Sequence, residues 1–139
     1  MNQTNRNYFD QQVEWVLARL PQKVLRILNE VPLHVEDQPS KRLRRTLKIE
    51  ESEELCGYFC GVPYGKGNAY FGAHAYAAGD MPILDNITLF RHGIVAASRD
   101  EWGRLRRDEL RRQICITILH EIAHLHGMDE EEIASIGYA

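Results

Sequence analysis

The chain has 139 residues, of which 44% are hydrophobic and 27% are charged, with 17 basic residues, 20 acidic residues and a formal net charge of -3. This length suits one domain, residues 1–139, with a single core, and the composition excludes a disordered chain. The slightly acidic balance argues against nucleic-acid binding, and no apolar run approaches the roughly 20 residues that span a bilayer.

The N-terminus and the cysteines indicate where the protein works. Residues 1–10 are polar and lack the apolar core of a secretory signal, so we expect a cytoplasmic protein. The three cysteines, Cys56, Cys60 and Cys115, are odd in number and therefore argue against a disulfide framework. Cys56 and Cys60 have no second cysteine pair, so a four-ligand structural zinc site is not expected.

The first half of the chain predicts helices followed by short strands. Residues 7–28 have apolar side chains at helical spacing, and Pro21 divides them into one helix that ends near Leu20 and a second that starts at Pro21. Residues 31–37 alternate between apolar and polar side chains, which predicts a half-buried strand. Residues 40–48 predict a short basic helix whose N-cap is Ser40.

The basic helix is followed by acidic residues, and the two together indicate a self-compensating, solvated surface. Residues 55–63 predict a short strand. The glycines that continue up to Asp80 predict a long loop that includes His74, and their spacing does not match a phosphate-binding loop. Long loops in small domains are often functional.

The second half predicts one more strand and a long helix. The strand lies within residues 83–95, and Arg91-His92-Gly93 is predicted to turn the chain. The helix is predicted to open at Asp100, because acids near a helix start suit its dipole, and to run to His126. Its arginine-rich first half indicates an exposed surface, and its apolar second half indicates burial. Ile133 and Ile136 predict a final apolar turn.

The buried half of this helix contains the pattern His-Glu-x-x-His. His120 and His124 are four residues apart, so both imidazoles lie on one face of a helix, one turn apart. Glu121 points off that face and is the general base in this motif. His126 lies roughly 200° further around the helix than His124, so we do not expect it to bind a metal.

A catalytic zinc site has three protein ligands and a water, so a third ligand is required. Gly127 predicts the end of the helix, which returns the chain beneath the histidines. Glu130 follows this turn and is the predicted third ligand, with Asp129 as the alternative. Two histidines and a carboxylate suit zinc and also tolerate other divalent metals. If the motif is instead structural, its histidines are hydrogen-bonded within a core.

The order of these segments resembles the minimal zincin-like family, small bacterial proteins that are predicted metallopeptidases. The resemblance extends from about residue 8 to residue 138. It depends on the helix that ends in Leu20-Pro21, the strand of residues 31–39, Gly57-Tyr58-Phe59-Cys60-Gly61-Val62-Pro63, Asp85-Asn86-Ile87-Thr88-Leu89-Phe90-Arg91, and the helix with Leu119-His120-Glu121-Ile122-Ala123-His124.

The resemblance implies an α+β fold, a small mixed sheet packed by helices, with the active-site helix near the C-terminus. It implies Zn2+ held by His120, His124 and Glu130, where the family usually has an aspartate in the third position, and Glu121 as the catalytic base. It also implies that an edge strand beside the active-site helix pairs with extended substrate, and residues 87–90 are the predicted strand. None of the nine residues after Glu130 is a methionine, so we do not expect the methionine turn of the larger metzincins.

These observations predict a zinc-dependent metallopeptidase that acts on a peptide or protein substrate, with no nucleic-acid or membrane partner. The alternative is a metal-binding interaction or adaptor module with little or no turnover, because a short chain has few residues to form the walls of a deep cleft. A zinc hydrolase acting on RNA is a third hypothesis. Only the arginine-rich half-helix supports it, and the net acidic charge argues against it.

Overall fold

The computed structural model describes residues 1–61 and 85–135, with side chains described as far as Glu132. In this part of the chain it confirms the α+β fold, with helices packed around a small sheet. Most of the predicted glycine-rich loop, including His74, and the predicted turn at Ile136 lie outside the described residues. No helix within the described ranges combines the length and the apolar composition needed to cross a membrane.

The first part of the chain forms two helices, α1 (Gln3–Leu17) and α2 (Gln22–Glu30). The side chain of Asn2 accepts a hydrogen bond from the backbone N–H of Asn5, so α1 begins earlier than its apolar pattern predicts. Pro21 is the N-cap residue of α2, which confirms the predicted interruption.

Only some of the apolar side chains of α1 lie in the core. Phe9, Val13 and Val16 are buried in the core. Trp15 also belongs to the apolar side chains at helical spacing, but it is 36% exposed, and the guanidinium carbons of Arg19 and Arg111 lie 3.7 and 3.8 Å from the centre of its ring. These contacts cover an aromatic ring at the surface with cationic side chains.

Among the described residues, one sheet is formed by β1 (Leu33–Glu36), β2 (Gly57–Cys60) and β3 (Asn86–Phe90). β3 lies in the middle, parallel to β1 and antiparallel to β2. The prediction that residues 87–90 are an edge strand for substrate is therefore wrong, because β3 pairs with a neighbour on both sides. Its central position also explains why Ile87 and Leu89 are completely buried.

The predicted basic helix is α3 (Lys41–Leu47), and the Ser40 hydroxyl caps it as expected. Its surface is less solvated than the charge pattern predicts, because Arg44 is buried. The Arg44 guanidinium donates hydrogen bonds of 2.8 Å to the backbone carbonyls of Glu50 and Glu53. One member of the basic run therefore holds the following acidic segment in place.

The predicted turn after β3 is wrong, because Arg91 begins a helix, α4 (Arg91–Ser98), directly after the strand. Gly93 lies within this helix and does not reverse the chain. A Cβ atom at Gly93 would lie 2.2 Å from the carbonyl oxygen of Leu55. The glycine therefore allows close packing of α4 against the segment that leads into β2.

The last long helix is α5 (Arg107–Leu125), which starts later than predicted. Asp100 belongs to a turn, in which its carboxylate accepts hydrogen bonds from the backbone N–H groups of Trp102 and Arg104. An Asp side chain is well suited to such a turn, and this preference competes with its preference for a helix start.

The core lies where α5 packs against α1, α4 and the sheet. Along α5 its members are Leu110, Ile114, Ile118, Ile122 and Leu125, which meet Phe9 and Val13 of α1 and Phe59, Ile87 and Leu89 of the sheet. Each fully buried side chain of this kind contributes about 1.5–3 kcal/mol. The end of α5 that carries the His-Glu-x-x-His motif is therefore held inside the fold.

An ion-pair network joins α1, the end of β1 and the start of α4. The Asp37 carboxylate accepts hydrogen bonds from Arg6 at 2.6 Å and from Arg91 at 2.9 Å, and Arg91 also contacts Asp10 at 2.9 Å. These contacts, above all the hydrogen bond from Arg6, lower the pKa of Asp37 to about 2. The ionised form of Asp37 therefore stabilises the folded state.

We expect Asp37→Asn to lower the free energy of unfolding by about 1–2 kcal/mol at pH 7, after allowance for solvent screening. Because the folded pKa lies below the unfolded one, this contribution is present above pH ~4 and is lost as the pH falls towards ~2. Urea unfolding at several pH values measures it, with Glu36→Gln as the control for an exposed neighbouring acid. An equal loss in both variants, or a loss that persists at pH 2, would contradict this role.

Candidate metal centre

The end of α5 places His120 and His124 side by side. Their ring centroids are 4.9 Å apart, and His124 is buried whereas His120 is partly exposed. The helix ends where Gly127 adopts a φ of 83°. The Gly127 N–H bonds to the carbonyl of His124, and the Met128 N–H bonds to that of Ala123. This pair of bonds is a Schellman motif, and it turns the chain back beneath the histidines as predicted.

Glu130 follows this turn as the first residue of α6 (Glu130–Ser135). Its carboxylate oxygens lie 2.8 Å from Nε2 of His124 and 3.3–3.4 Å from Nε2 of His120. The three donor atoms all lie within 4.8 Å of one another. The structure therefore brings together the three residues that the sequence predicts as ligands, and 73% of the Glu130 side chain is open to solvent.

The donor set fits a divalent metal such as zinc. Zinc bonds of about 2.0–2.2 Å in a tetrahedron place neighbouring donor atoms about 3.3–3.6 Å apart. The 3.3–3.4 Å between His120 and Glu130 is in this range, whereas the 2.8 Å between His124 and Glu130 is a hydrogen-bond distance that would lengthen around an ion. On the other side of the His124 ring, Nδ1 lies 3.0 Å from the carbonyl oxygen of Met128. The Met128 carbonyl accepts a hydrogen bond from a protonated Nδ1, and an ion that took the place of the 2.8 Å contact between Nε2 and Glu130 would then find the Nε2 lone pair available to it.

The alternative third ligand, Asp129, has a different position. Its Oδ1 accepts a hydrogen bond of 2.8 Å from the backbone N–H of Glu132, so it caps α6. Asp129 does not belong to the cluster of donor atoms, and neither does His126, the C-cap residue of α5. The capping role explains why an acid precedes Glu130 without reaching the histidines.

Glu121 is buried beside the cluster, with 5% of its surface exposed. Burial raises its pKa to about 8, with a smaller contribution from the charge of Glu130 and an opposing one from a backbone hydrogen bond with Phe59. A buried carboxyl that takes up a proton near neutral pH suits a general base.

The contact between Phe59 and Glu121 depends on Gly57. A Cβ atom at Gly57 would lie 2.7 Å from Cγ2 of Thr117 and 3.3 Å from Cγ of Glu121. The missing side chain therefore allows β2 to lie directly on α5. The sequence does not predict the packing role of Gly57 or the hydrogen bond of the Met128 carbonyl to His124. Gly57 is one of six glycines between residues 57 and 79, and Met128 acts through its backbone.

A comparison with family models identifies the family of the chain. Residues 28–138 match the model of the zincin-like metallopeptidases, and the chain belongs to this family. Membership implies a divalent metal, typically zinc, and peptide or protein substrates. No curated protein matches the chain.

We expect Gly57→Ala to lower the free energy of unfolding by about 1–3 kcal/mol, because the new methyl group overlaps Thr117. The matched background is Thr117→Ser, which removes Cγ2 and keeps the hydroxyl that donates 2.7 Å to the Gln113 carbonyl. A double-mutant cycle in urea should show that Gly57→Ala is less harmful in this background. Equal losses in both backgrounds would show that the Thr117 contact is not the constraint.

Proposed function

We propose that the protein is a zinc-dependent peptidase in which His120, His124 and Glu130 hold the metal and Glu121 is the general base. The observation that carries this proposal is the convergence of three donor atoms within 4.8 Å, next to the buried carboxyl of Glu121 on the helix that carries both histidines. Family membership supports the reaction class. The solvent-exposed side of Glu130 leaves room for a water and for substrate.

Each residue has a distinct role in this mechanism. Zinc, when bound, supplies a Lewis acid that polarises the scissile carbonyl and lowers the pKa of water to about 7. His124 is oriented by the Met128 carbonyl and presents Nε2 to the site. Glu121 accepts a proton from the attacking water at a carboxylate oxygen and returns it to the leaving amine nitrogen. The N–H of Phe59 limits how far burial raises the pKa of Glu121.

Metal analysis of protein purified without added metal or chelator tests the ligand set. We expect about one zinc per chain in wild type. Glu130→Ala should weaken zinc binding more than about 100-fold, which is beyond the effect of losing an outer hydrogen bond. Asp129→Ser, which retains a capping oxygen, should keep the metal. Loss of zinc in Asp129→Ser alone would reverse the assignment of the third ligand.

The role of Glu121 is tested by Glu121→Gln, which keeps the shape of the side chain and removes its basicity. This variant should keep zinc and lose hydrolysis of a peptide library by about 100-fold or more, the usual contribution of a general base. His120→Ala should lose both. An unchanged rate in Glu121→Gln would disprove the base assignment. Retained zinc with no hydrolysis even in wild type would favour the metal-binding adaptor module.

A further inference from the structure

A cleft of about 360 Å³ begins at the metal centre and runs along α5 towards its N-terminal half. Ala97 of α4 lies in the wall of this cleft, which we call the Ala97 cleft. Its lining includes Gln113, Ile116 and Thr117 of α5 and, at one end, His120, Glu121 and Glu130. Because the last three residues belong to the candidate metal centre, whatever occupies the cleft lies next to the reacting atoms.

One wall of the Ala97 cleft is a single face of α5. Gln113, Ile116, Thr117 and His120 line the cleft, and positions three, four and seven residues apart share one side of a helix. Ile116 is partly exposed and presents apolar surface towards the cleft. The cleft therefore follows the helix for two turns away from the metal centre.

The opposite wall is formed by α4 and the segment before β2, which pack closely together. The backbone of Gly93 in α4 lies so close to the Leu55 carbonyl that a side chain would not fit between them. The Phe90 N–H donates a hydrogen bond of 2.8 Å to the carbonyl of Cys56. These contacts fix the distance between the two parts of this wall. Ala97 is exposed within it, so its small side chain helps to determine the width of the cleft.

Among the residues that the structure describes, the charged side chains that line the Ala97 cleft lie at one end of it. Apart from the Cys56 thiol, the titratable side chains of its lining are His120, Glu121 and Glu130, all at the metal centre. The amide of Gln113 donates 2.9 Å to Glu109, which is not part of the lining. A charged side chain inserted beyond the metal centre would lose hydration without gaining a counter-charge.

We infer that the Ala97 cleft receives an uncharged aliphatic side chain of the substrate next to the scissile bond. This inference rests on the proposed peptidase function and names the substrate class for the same site. Burial of such a side chain between Ala97 and Ile116 favours it over glycine by about ten- to hundredfold. Acidic and basic side chains gain no such advantage.

Hydroxamates of N-acetyl amino acids test this inference without turnover, because the hydroxamate binds zinc and the side chain is free to enter the cleft. The measurement is titration calorimetry of the zinc-loaded protein with the acetyl-glycine, acetyl-leucine, acetyl-aspartate and acetyl-lysine hydroxamates. We expect the leucine compound to bind at least about tenfold more tightly than the glycine compound. The aspartate and lysine compounds should bind no more tightly than glycine.

Ala97→Leu should remove the preference for leucine and leave the affinity for acetyl-glycine hydroxamate unchanged. The matched control is Ala96→Leu, the same change at an exposed neighbour on α4 that does not line the cleft. Binding of the glycine compound without a leucine preference, or equal effects of both variants, would overturn the inference and leave the proposed function standing. Failure of every hydroxamate to bind zinc-loaded wild type would overturn the proposed function and this inference together.

Discussion

The close approach of β2 to α5 at Gly57 is the constraint on which the candidate site depends. A Cβ atom there would lie 2.7 Å from the Thr117 side chain, so only glycine allows the strand to lie directly on the helix. That approach brings the backbone of Phe59 within hydrogen-bonding reach of Glu121. A buried carboxyl without a partner would destabilise the fold, and here a strand backbone supplies the partner. The same close packing places Gly57 in the lining of the cleft beside the metal centre.

The end of α5 illustrates how a buried helix accommodates polar groups. Glu121, Ile122, Ala123, His124 and Leu125 are all buried, so this part of the helix has no solvated face. Each polar side chain in this run has a partner from outside the helix: Phe59 for Glu121, and Met128 and Glu130 for His124. The groups proposed to act on a substrate are therefore also those whose pairing makes the burial of α5 possible.

Sequence reasoning succeeded where the physical signal is local. The four-residue spacing of His120 and His124, the glycine after the helix and the Ser40 cap follow from helix geometry and predict what the structure contains. It failed where tertiary packing decides. The sequence predicts a turn at Gly93, whereas in the structure this glycine allows α4 to pack closely against Leu55. The family resemblance implies that residues 87–90 form an edge strand, but they lie in the middle strand of the sheet. The position of a strand within a sheet depends on partners distant in the sequence, which a local pattern does not reveal.

The ion-pair network around Asp37 connects the wall of the cleft to α1, a part of the chain that contains none of the proposed metal ligands. Arg91 is the first residue of α4 and is held by Asp10 of α1 and by Asp37. The same helix carries Ala97 at its other end, in the wall of the cleft. The ion pair between Asp10 of α1 and Arg91 therefore helps to fix the position of α4, which forms part of that wall. Sequence changes in α1, far from the histidines along the chain, become a means of adjusting the width of the cleft while leaving every metal-binding atom intact.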